Sequence, residues 1–169
     1  MLEAGFPPGV VNLVTGGAEA GAAMVAHPGI DKIQFVGSGA TAKQVLANAA
    51  RTLKPCGLEL GGKSAVIVFA DANLQDAARR GLSGAVSANG QGCVNGTRLL
   101  VERTVYEPYL QMLQAMAAHI HPGDPLDPAT VMGPVISAAA LARILDAVER
   151  AVGEGARLLC GGARLQGEH

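Results

Sequence analysis

Short apolar runs that end near glycine alternate with helical segments along most of the chain. The β-branched runs are Val10–Val14, Ile33–Val36 and Ala65–Phe69, and the Ala-rich segment Ala18–Ala26 separates the first two. Runs of this length and composition are typical of buried strands. Regular alternation of strand and helix is typical of a parallel sheet. We therefore predict an α/β fold built on a parallel sheet.

The remaining patterns extend this alternation. The segment Asp71–Asn73 and the residue Ser137 each precede an apolar periodicity, and each is predicted to provide a helix cap. The predicted helices cover residues 18–26, 41–50, 74–89, 105–120 and 138–152. Leu58–Leu60 is a short apolar run, and the other predicted strands are Arg98–Val101 and Leu158–Cys160.

Composition excludes several classes of function. The 169 residues have a net charge of −1 and only 3% aromatic residues, so we expect no nucleic-acid partner. No apolar run reaches membrane-spanning length and no secretory signal opens the chain, so we expect no membrane partner. Cys56, Cys93 and Cys160 form neither a disulfide framework nor a metal-ligand spacing with histidine, so we expect no metal and a cytoplasmic location.

Two glycine-containing segments are candidate binding sites. Gly37, Ser38 and Gly39 lie between a predicted strand and helix, where small residues let a phosphate approach helix N–H groups. The same residues also fit a plain turn. Farther along, Glu59 lies between two leucines in LELGGK, residues 58–63. Desolvation there would raise the pKa of its carboxyl and suit a general base. The alternatives are an exposed strand residue or an ion pair with Lys54 or Lys63.

Cys93 lies in a polar segment, SANGQGCVNGTR, residues 87–98. Nucleophilic catalysis needs room for a substrate and donors for an oxyanion. Gly92 and Gly96 are expected to leave that room, and the Cys93 amide is one possible donor. The preceding helix C-terminus does not favour a thiolate, so Cys93 is also compatible with an ordinary loop thiol. Cys56 and Cys160 are predicted to be small buried hydrophobes.

The motifs together resemble the aldehyde dehydrogenase superfamily along nearly the whole chain. The matching segments are GFPPGVVNLVTG, IQFVGS, LELGGKSAVIVFADA, GQGCVNGTRLLVER and GDPLDPATVMGPVIS. LELGGK and the GQ-x-C segment resemble the two active-site signatures of the family. The 34-residue interval from Glu59 to Cys93 is similar to the family interval.

The resemblance implies a function and a set of site residues. Cys93 is implied as the nucleophile and Glu59 as the general base that favours hydrolysis over transfer to coenzyme A. Gly37, Ser38 and Gly39 are implied at the pyrophosphate of NAD or NADP, with Leu60 beside the nicotinamide. Ala42 is also implied as a cofactor-binding residue, and it replaces a family glycine at the end of that turn. The implied substrate is an aldehyde, and the implied parent enzyme is a homo-oligomer.

The resemblance also implies that the chain is an internal segment of a longer enzyme. Residues 1–60 are expected to be the later half of a Rossmann-like cofactor domain, and residues 61–169 the first part of a catalytic domain. One alternative is an inactive partial product that is at most a weak nucleotide-binding or interaction module. Another is a redox thiol protein, against which the lack of a resolving cysteine near Cys93 counts.

Overall fold

The computed structural model describes residues 1–165 and divides the chain into two compact units, Met1–Gly61 and Gly62–His169. Each unit contains a two-stranded parallel sheet with helices packed against it, which confirms the predicted fold class. Within the described residues, no helix has the length and apolar character needed to cross a membrane.

The first unit is built from two helices and two strands. Its elements are α1 (Ala18–Ala26), β1 (Ile33–Gly37), α2 (Gly39–Ala49) and β2 (Cys56–Leu60). Its core contains Val25 of α1 together with Val45 and Ala49 of α2. Partly buried side chains of the sheet pack against this cluster, namely Ile33, Phe35 and Cys56. The core therefore lies between the two helices and one face of the sheet.

The opposite face of this sheet carries Val36 and Glu59. The two residues are register partners on β1 and β2, and side chains alternate between faces along a strand. Val36 is 68% exposed and Glu59 is also exposed. The β1–β2 sheet is therefore packed on one face and accessible on the other.

Within residues 62–165, the second unit contains two strands and three α-helices. Its elements are β3 (Ser64–Val68), α3 (Leu74–Val86), β4 (Gly96–Val101), α4 (Tyr106–Ala117) and α5 (Ala138–Gly153). Val68, Ala78 and Tyr109 form the buried centre between the sheet, α3 and α4. Ala78 is fully buried, so its small side chain lets α3 pack closely against the sheet. This packing fixes the end of α3, after which the chain leads to Cys93.

Side-chain caps set the start of three helices. The Asn73 carboxamide oxygen accepts a hydrogen bond from the Asp76 amide at 3.1 Å. The Ser137 hydroxyl accepts one from the Ala140 amide at 3.1 Å. Both predicted caps are confirmed. Helix α2 begins two residues before the predicted start, because Ser38 caps it by the same kind of bond to Thr41.

Two predicted strands are wrong. Residues 10–14 and 158–160 pair with no strand in the described part of the chain. Leu13 is 88% exposed and Leu158 is 51% exposed. A β-branched or apolar run becomes a strand only when a neighbouring strand accepts its backbone hydrogen bonds. Residues 10–14 instead follow a local turn, in which the Val10 amide donates to Pro7.

Candidate active site

Several candidate residues meet at the carboxyl edge of the β1–β2 sheet. Gly37 and Leu60 are the last register partners of these strands, and Val36 and Glu59 are the pair before them. The Gly61 amide continues the ladder by donating to the Gly37 carbonyl at 3.2 Å. Ligands of α/β proteins bind outside the carboxyl ends of parallel strands. The first unit therefore places its candidate base beside its candidate cofactor turn.

The turn from β1 into α2 exposes backbone donors. The Ser38 hydroxyl accepts a hydrogen bond from the Thr41 amide at 3.2 Å and lies 3.0 Å from the Thr41 hydroxyl. The amides of Gly39 and Ala40 lie in the first turn of α2, where no intrahelical acceptor exists. Apart from its chain neighbours and the backbone of its own helix, nothing in the described residues lies within 4 Å of the position that a Cβ on Gly39 would occupy. This turn can receive an anionic group.

Gly37 and Ala42 have packing roles in the same region. A Cβ on Gly37 would lie 2.6 Å from Cζ of Phe35, so the aromatic ring already requires a glycine there. Ala42 is only 2% exposed, so its methyl group is enclosed by the protein. In dinucleotide-binding turns, the last glycine serves close packing of helix on strand. At position 42 this fold accommodates the additional methyl group of alanine in a buried position.

Glu59 does not have the desolvated setting expected from its leucine neighbours. Its side chain is exposed, and Leu60 beside it is 42% exposed. Lys54 instead donates to the Thr52 hydroxyl at 2.7 Å, and Lys63 donates to the Gly62 carbonyl at 3.4 Å. Within residues 1–165 Glu59 forms no ion pair. The sequence left three possibilities for Glu59: a desolvated base, an ion pair with a lysine, or an exposed strand residue. The structure agrees with the exposed strand residue.

Cys93 lies in the loop that connects α3 to β4 in the second unit. The helix ends at Val86, an irregular turn with left-handed residues covers 87–90, and the Cys93 side chain is exposed. Among residues 1–165, no acceptor is bound by the Cys93 amide. The loop therefore offers an accessible thiol with a backbone donor beside it, beyond the C-terminal end of a helix.

The expected room from Gly92 and Gly96 is occupied by the protein itself. A Cβ on Gly92 would lie 2.5 Å from Oδ1 of Asn95, and one on Gly96 would collide with Cγ2 of Val66. These glycines are needed because neighbouring side chains approach the backbone closely. Access to Cys93 comes instead from the exposure of its loop.

The other two cysteines occupy different environments. Cys56 is partly buried and packs against the core of the first unit, which agrees with its predicted hydrophobic role. Cys160 is exposed, so its predicted burial is wrong. The reason is the missing strand at residues 158–160, which would have carried it into a sheet. No group of three or more His, Cys, Asp or Glu residues in the described part of the chain could hold a metal ion.

Sequence reasoning missed two asparagines that fix the shape of the Cys93 loop. Asn95 is 9% exposed and donates from Nδ2 to the Ser87 carbonyl at 2.8 Å. Asn89 bonds through both side-chain polar atoms to Gly133 and Pro134. Their presence among glycines was the available signal, because asparagine tolerates left-handed backbone and bonds to nearby main chain.

The fold and these loops define an α/β protein with an exposed cysteine after a helix and a glycine-serine turn at the carboxyl edge of a parallel sheet. The sequence profile of the Aldehyde dehydrogenase family matches residues 1–169. The chain belongs to the aldehyde dehydrogenase family.

Relatives and solved structures agree with this membership. A betaine aldehyde dehydrogenase of Cereibacter sphaeroides is 43% identical over 162 residues, which cover 96% of this chain and 34% of the relative. A chloroplastic aminoaldehyde dehydrogenase of Arabidopsis thaliana is 44% identical over 163 residues, covering 96% of this chain and 32% of the relative. The NAD+ complex structure of aldehyde dehydrogenase from Bacillus cereus aligns with a TM-score of 0.92 at 40% identity, covering 98% of this chain and 34% of that one. The chain spans about a third of the length of these proteins.

Proposed function

We propose that this chain carries the nucleophile, the general base and part of the cofactor site of an enzyme that oxidises an aldehyde to a carboxylic acid with NAD or NADP. The observation that carries the proposal is the accessible thiol of Cys93, with an amide donor beside it, in a chain that matches the family throughout. Residues 1–60 would form part of a Rossmann-like cofactor domain, and residues 61–169 part of a catalytic domain. The division of the chain between Gly61 and Gly62 supports this assignment.

The proposed chemistry begins at Cys93. Its thiolate forms a bond to the aldehyde carbon, and the carbonyl electron pair becomes an oxyanion that the Cys93 amide can stabilise. A nicotinamide bound beside Leu60 would supply the hydride acceptor that the change from thiohemiacetal to thioester requires. Glu59 then removes a proton from water, which attacks the thioester carbon and releases the acid and the thiol. The exposure of Glu59 leaves its carboxylate accessible to that water.

The turn at Gly37, Ser38 and Gly39 fits the pyrophosphate of the cofactor. The first-turn amides of α2 are donors without intrahelical acceptors, and the helix N-terminus favours an anion. The open space at Gly39 would let the pyrophosphate approach the backbone. Leu60 is the register partner of Gly37, so a nicotinamide could follow the same edge of the sheet. The buried Ala42 would support the helix without touching the cofactor.

The names of the relatives indicate which substrates to test first. The relatives are named for betaine aldehyde and for aminoaldehydes, and both kinds of aldehyde contain an ammonium or amine nitrogen. We propose aldehydes of this class as initial substrates, with a homo-oligomeric enzyme in a reducing cytoplasm. The free thiols of Cys93 and Cys160 support a reducing compartment.

The decisive test is substitution of the proposed nucleophile in the full-length enzyme. Cys93→Ala should abolish NAD-dependent oxidation of the aldehyde, because no other group in the mechanism forms the covalent bond. Cys160→Ala is the matched control and should retain activity. Turnover that survives Cys93→Ala would refute the assignment of the nucleophile.

A second candidate is that the 169-residue chain is itself an inactive partial product. Large apolar side chains are exposed on the β3–β4 sheet, where Ile67 is 61% exposed and Leu100 is 50% exposed. They line an apolar groove of about 400 Å³ together with Phe69, which favours association over catalysis. Steady-state reduction of NAD by this chain with a simple aldehyde would refute this candidate.

A further inference from the structure

The loop before Cys93 contains three consecutive residues with left-handed backbone. The φ angles are 50° at Ala88, 54° at Asn89 and 72° at Gly90. Glycine adopts this conformation readily and asparagine tolerates it, whereas alanine is strained by its Cβ. A strained run of this kind persists only where the surrounding structure holds it. Something must therefore fix the backbone at this point.

The side chain of Asn89 makes the required long-range contacts. Its Nδ2 donates to the Pro134 carbonyl at 3.1 Å, and its Oδ1 accepts from the Gly133 amide at 3.0 Å. The partners are 45 and 44 residues away in sequence. A carboxamide is suited to this role because it offers a donor and an acceptor on one planar group. Asn89 thus clamps the left-handed run to residues 133–134.

The distal side of the loop is fixed independently by Asn95. Its side chain donates to the Ser87 carbonyl at 2.8 Å, and its amide donates to the Gly92 carbonyl at 3.1 Å. Cys93 lies between the two anchored asparagines, and its own amide binds no acceptor among residues 1–165. The direction of that amide therefore depends on both ends of the loop.

We propose that Asn89 is a positioning residue for Cys93: its clamp on Gly133 and Pro134 holds the left-handed run so that the Cys93 amide faces the oxyanion formed during attack by the thiolate. Asn89 does not touch the reacting atoms. The inference rests on the proposed function, because it concerns the same nucleophile.

Two reactions of the Cys93 thiol distinguish stabilisation of an oxyanion by its amide from mere exposure of the thiol. With 4-nitrophenyl acetate, the Cys93 thiolate forms an S–C bond to the acetyl carbon through an oxyanion, and 4-nitrophenolate leaves with the electron pair of the broken C–O bond. With iodoacetamide, the thiolate displaces iodide and no oxyanion forms. Thiolate population and access affect both rates. The ratio of acylation to alkylation therefore reports on oxyanion stabilisation.

The experiment measures both rates at each cysteine of the 169-residue chain by site-resolved mass spectrometry after rapid quenching. Cys160 is the internal reference, because it is an exposed thiol outside this loop. One oxyanion donor contributes ~100-fold or more in a closed active site, so in this open loop we expect a ratio at Cys93 about tenfold above that at Cys160. Asn89→Ala should lower the Cys93 ratio about tenfold, to that of Cys160.

Two further variants keep the test clear. Asn89→Asp retains the acceptor for the Gly133 amide but loses the donor to Pro134, so its ratio should be intermediate. The added carboxylate lowers the reactivity of the thiolate in both reactions, so the ratio cancels most of that effect of charge and still reports the lost donor. Asn73→Ala removes a helix cap by the same asparagine-to-alanine change, and it should leave the Cys93 ratio unchanged. Amide exchange at Gly133 verifies that the clamp is lost in Asn89→Ala.

The possible outcomes separate the positioning role of Asn89 from the proposed function of Cys93 as a nucleophile. If Cys93 in the unsubstituted chain shows no higher ratio than Cys160, the proposed oxyanion donor at the nucleophile is wrong. If Cys93 shows the excess and Asn89→Ala retains it after loss of Gly133 protection, only the positioning role of Asn89 is wrong. If Asn89→Ala does not fold, an unchanged ratio in Asn89→Asp overturns the positioning role instead.

Discussion

Replacing Gly81 with alanine tests how tightly α3 is packed before it leads to the Cys93 loop. Gly81 is buried in the middle of α3. A Cβ built on Gly81 would lie only 2.6 Å from the hydroxyl oxygen of Tyr109 and 3.2 Å from Cδ2 of Leu99. The contact with Tyr109 is too close for a side chain to occupy without a shift. Tyr109 is 1% exposed and donates to the Ala77 carbonyl at 3.3 Å, so its hydroxyl cannot move away into solvent.

Two opposing effects determine the magnitude. Alanine is favoured over glycine inside a helix by about 1 kcal/mol. Overpacking of a core costs about 1–3 kcal/mol. We therefore expect Gly81→Ala to lower the free energy of unfolding by about 1 kcal/mol. In a Tyr109→Phe background the hydroxyl is absent, so the helix preference should dominate and Gly81→Ala should be neutral or stabilising by up to ~1 kcal/mol.

Urea unfolding monitored by tyrosine fluorescence measures both effects. The chain has no Trp and two Tyr residues, Tyr106 and Tyr109, so the signal reports on the second unit alone. The double-mutant cycle should give a coupling energy of about 1–2 kcal/mol between positions 81 and 109. Equal effects of Gly81→Ala in the two backgrounds would refute the reasoning, because the hydroxyl would then not be the obstacle.

The buried Tyr109 should also make the chain sensitive to alkali. Burial raises the pKa of its phenol, so above pH ~10 the unfolded chain releases a proton that the folded chain retains, and stability should fall as pH rises further. Urea midpoints between pH 9 and pH 11 should fall less steeply for Tyr109→Phe, and identical slopes would contradict this. Ala88→Gly should raise the free energy of unfolding by up to ~1 kcal/mol, because relief of left-handed strain exceeds the added chain entropy. A loss of stability there would show that the left-handed geometry is not strained.

Local patterns predicted most of the helices because helix signals are contained in the segment itself. Ala18–Ala26 is a helix with the predicted bounds, and Ser137 caps α5 as predicted. The strand at residues 65–69 is displaced by only one residue, since its β-branched residues are bounded by a turn. Caps, periodicity and turn residues act within a few positions, so sequence alone captures them.

Strands and loop shape depend on partners that local patterns do not identify. Residues 10–14 have the composition of a strand and no pairing partner in the described chain. The left-handed run at Ala88 is held by residues 133–134, more than 40 positions away. Glu59 was expected to be desolvated because its sequence neighbours are apolar, yet its strand places it on an uncovered face. Strand pairing, loop conformation and side-chain burial all depend on residues distant in sequence, so local patterns could not predict them.

Whether the fold or a ligand requires a glycine at a candidate site can be judged from the atoms that a Cβ at that position would contact. At Gly39 nothing beyond its chain neighbours and helix backbone lies within 4 Å, so Gly39→Ala should raise the free energy of unfolding by up to ~1 kcal/mol by reducing the entropy of the unfolded chain. At Gly92 the new methyl group would lie 2.5 Å from Asn95 Oδ1 and displace the side chain that bonds to Ser87. Gly92→Ala should therefore cost about 1–3 kcal/mol. Urea unfolding of each unit, followed by peptide-resolved amide exchange, measures both changes. If Gly39→Ala destabilises the first unit, that glycine is required by the fold. If it stabilises the unit, folding does not require the glycine, and a ligand that approaches the amides of α2 becomes the better explanation.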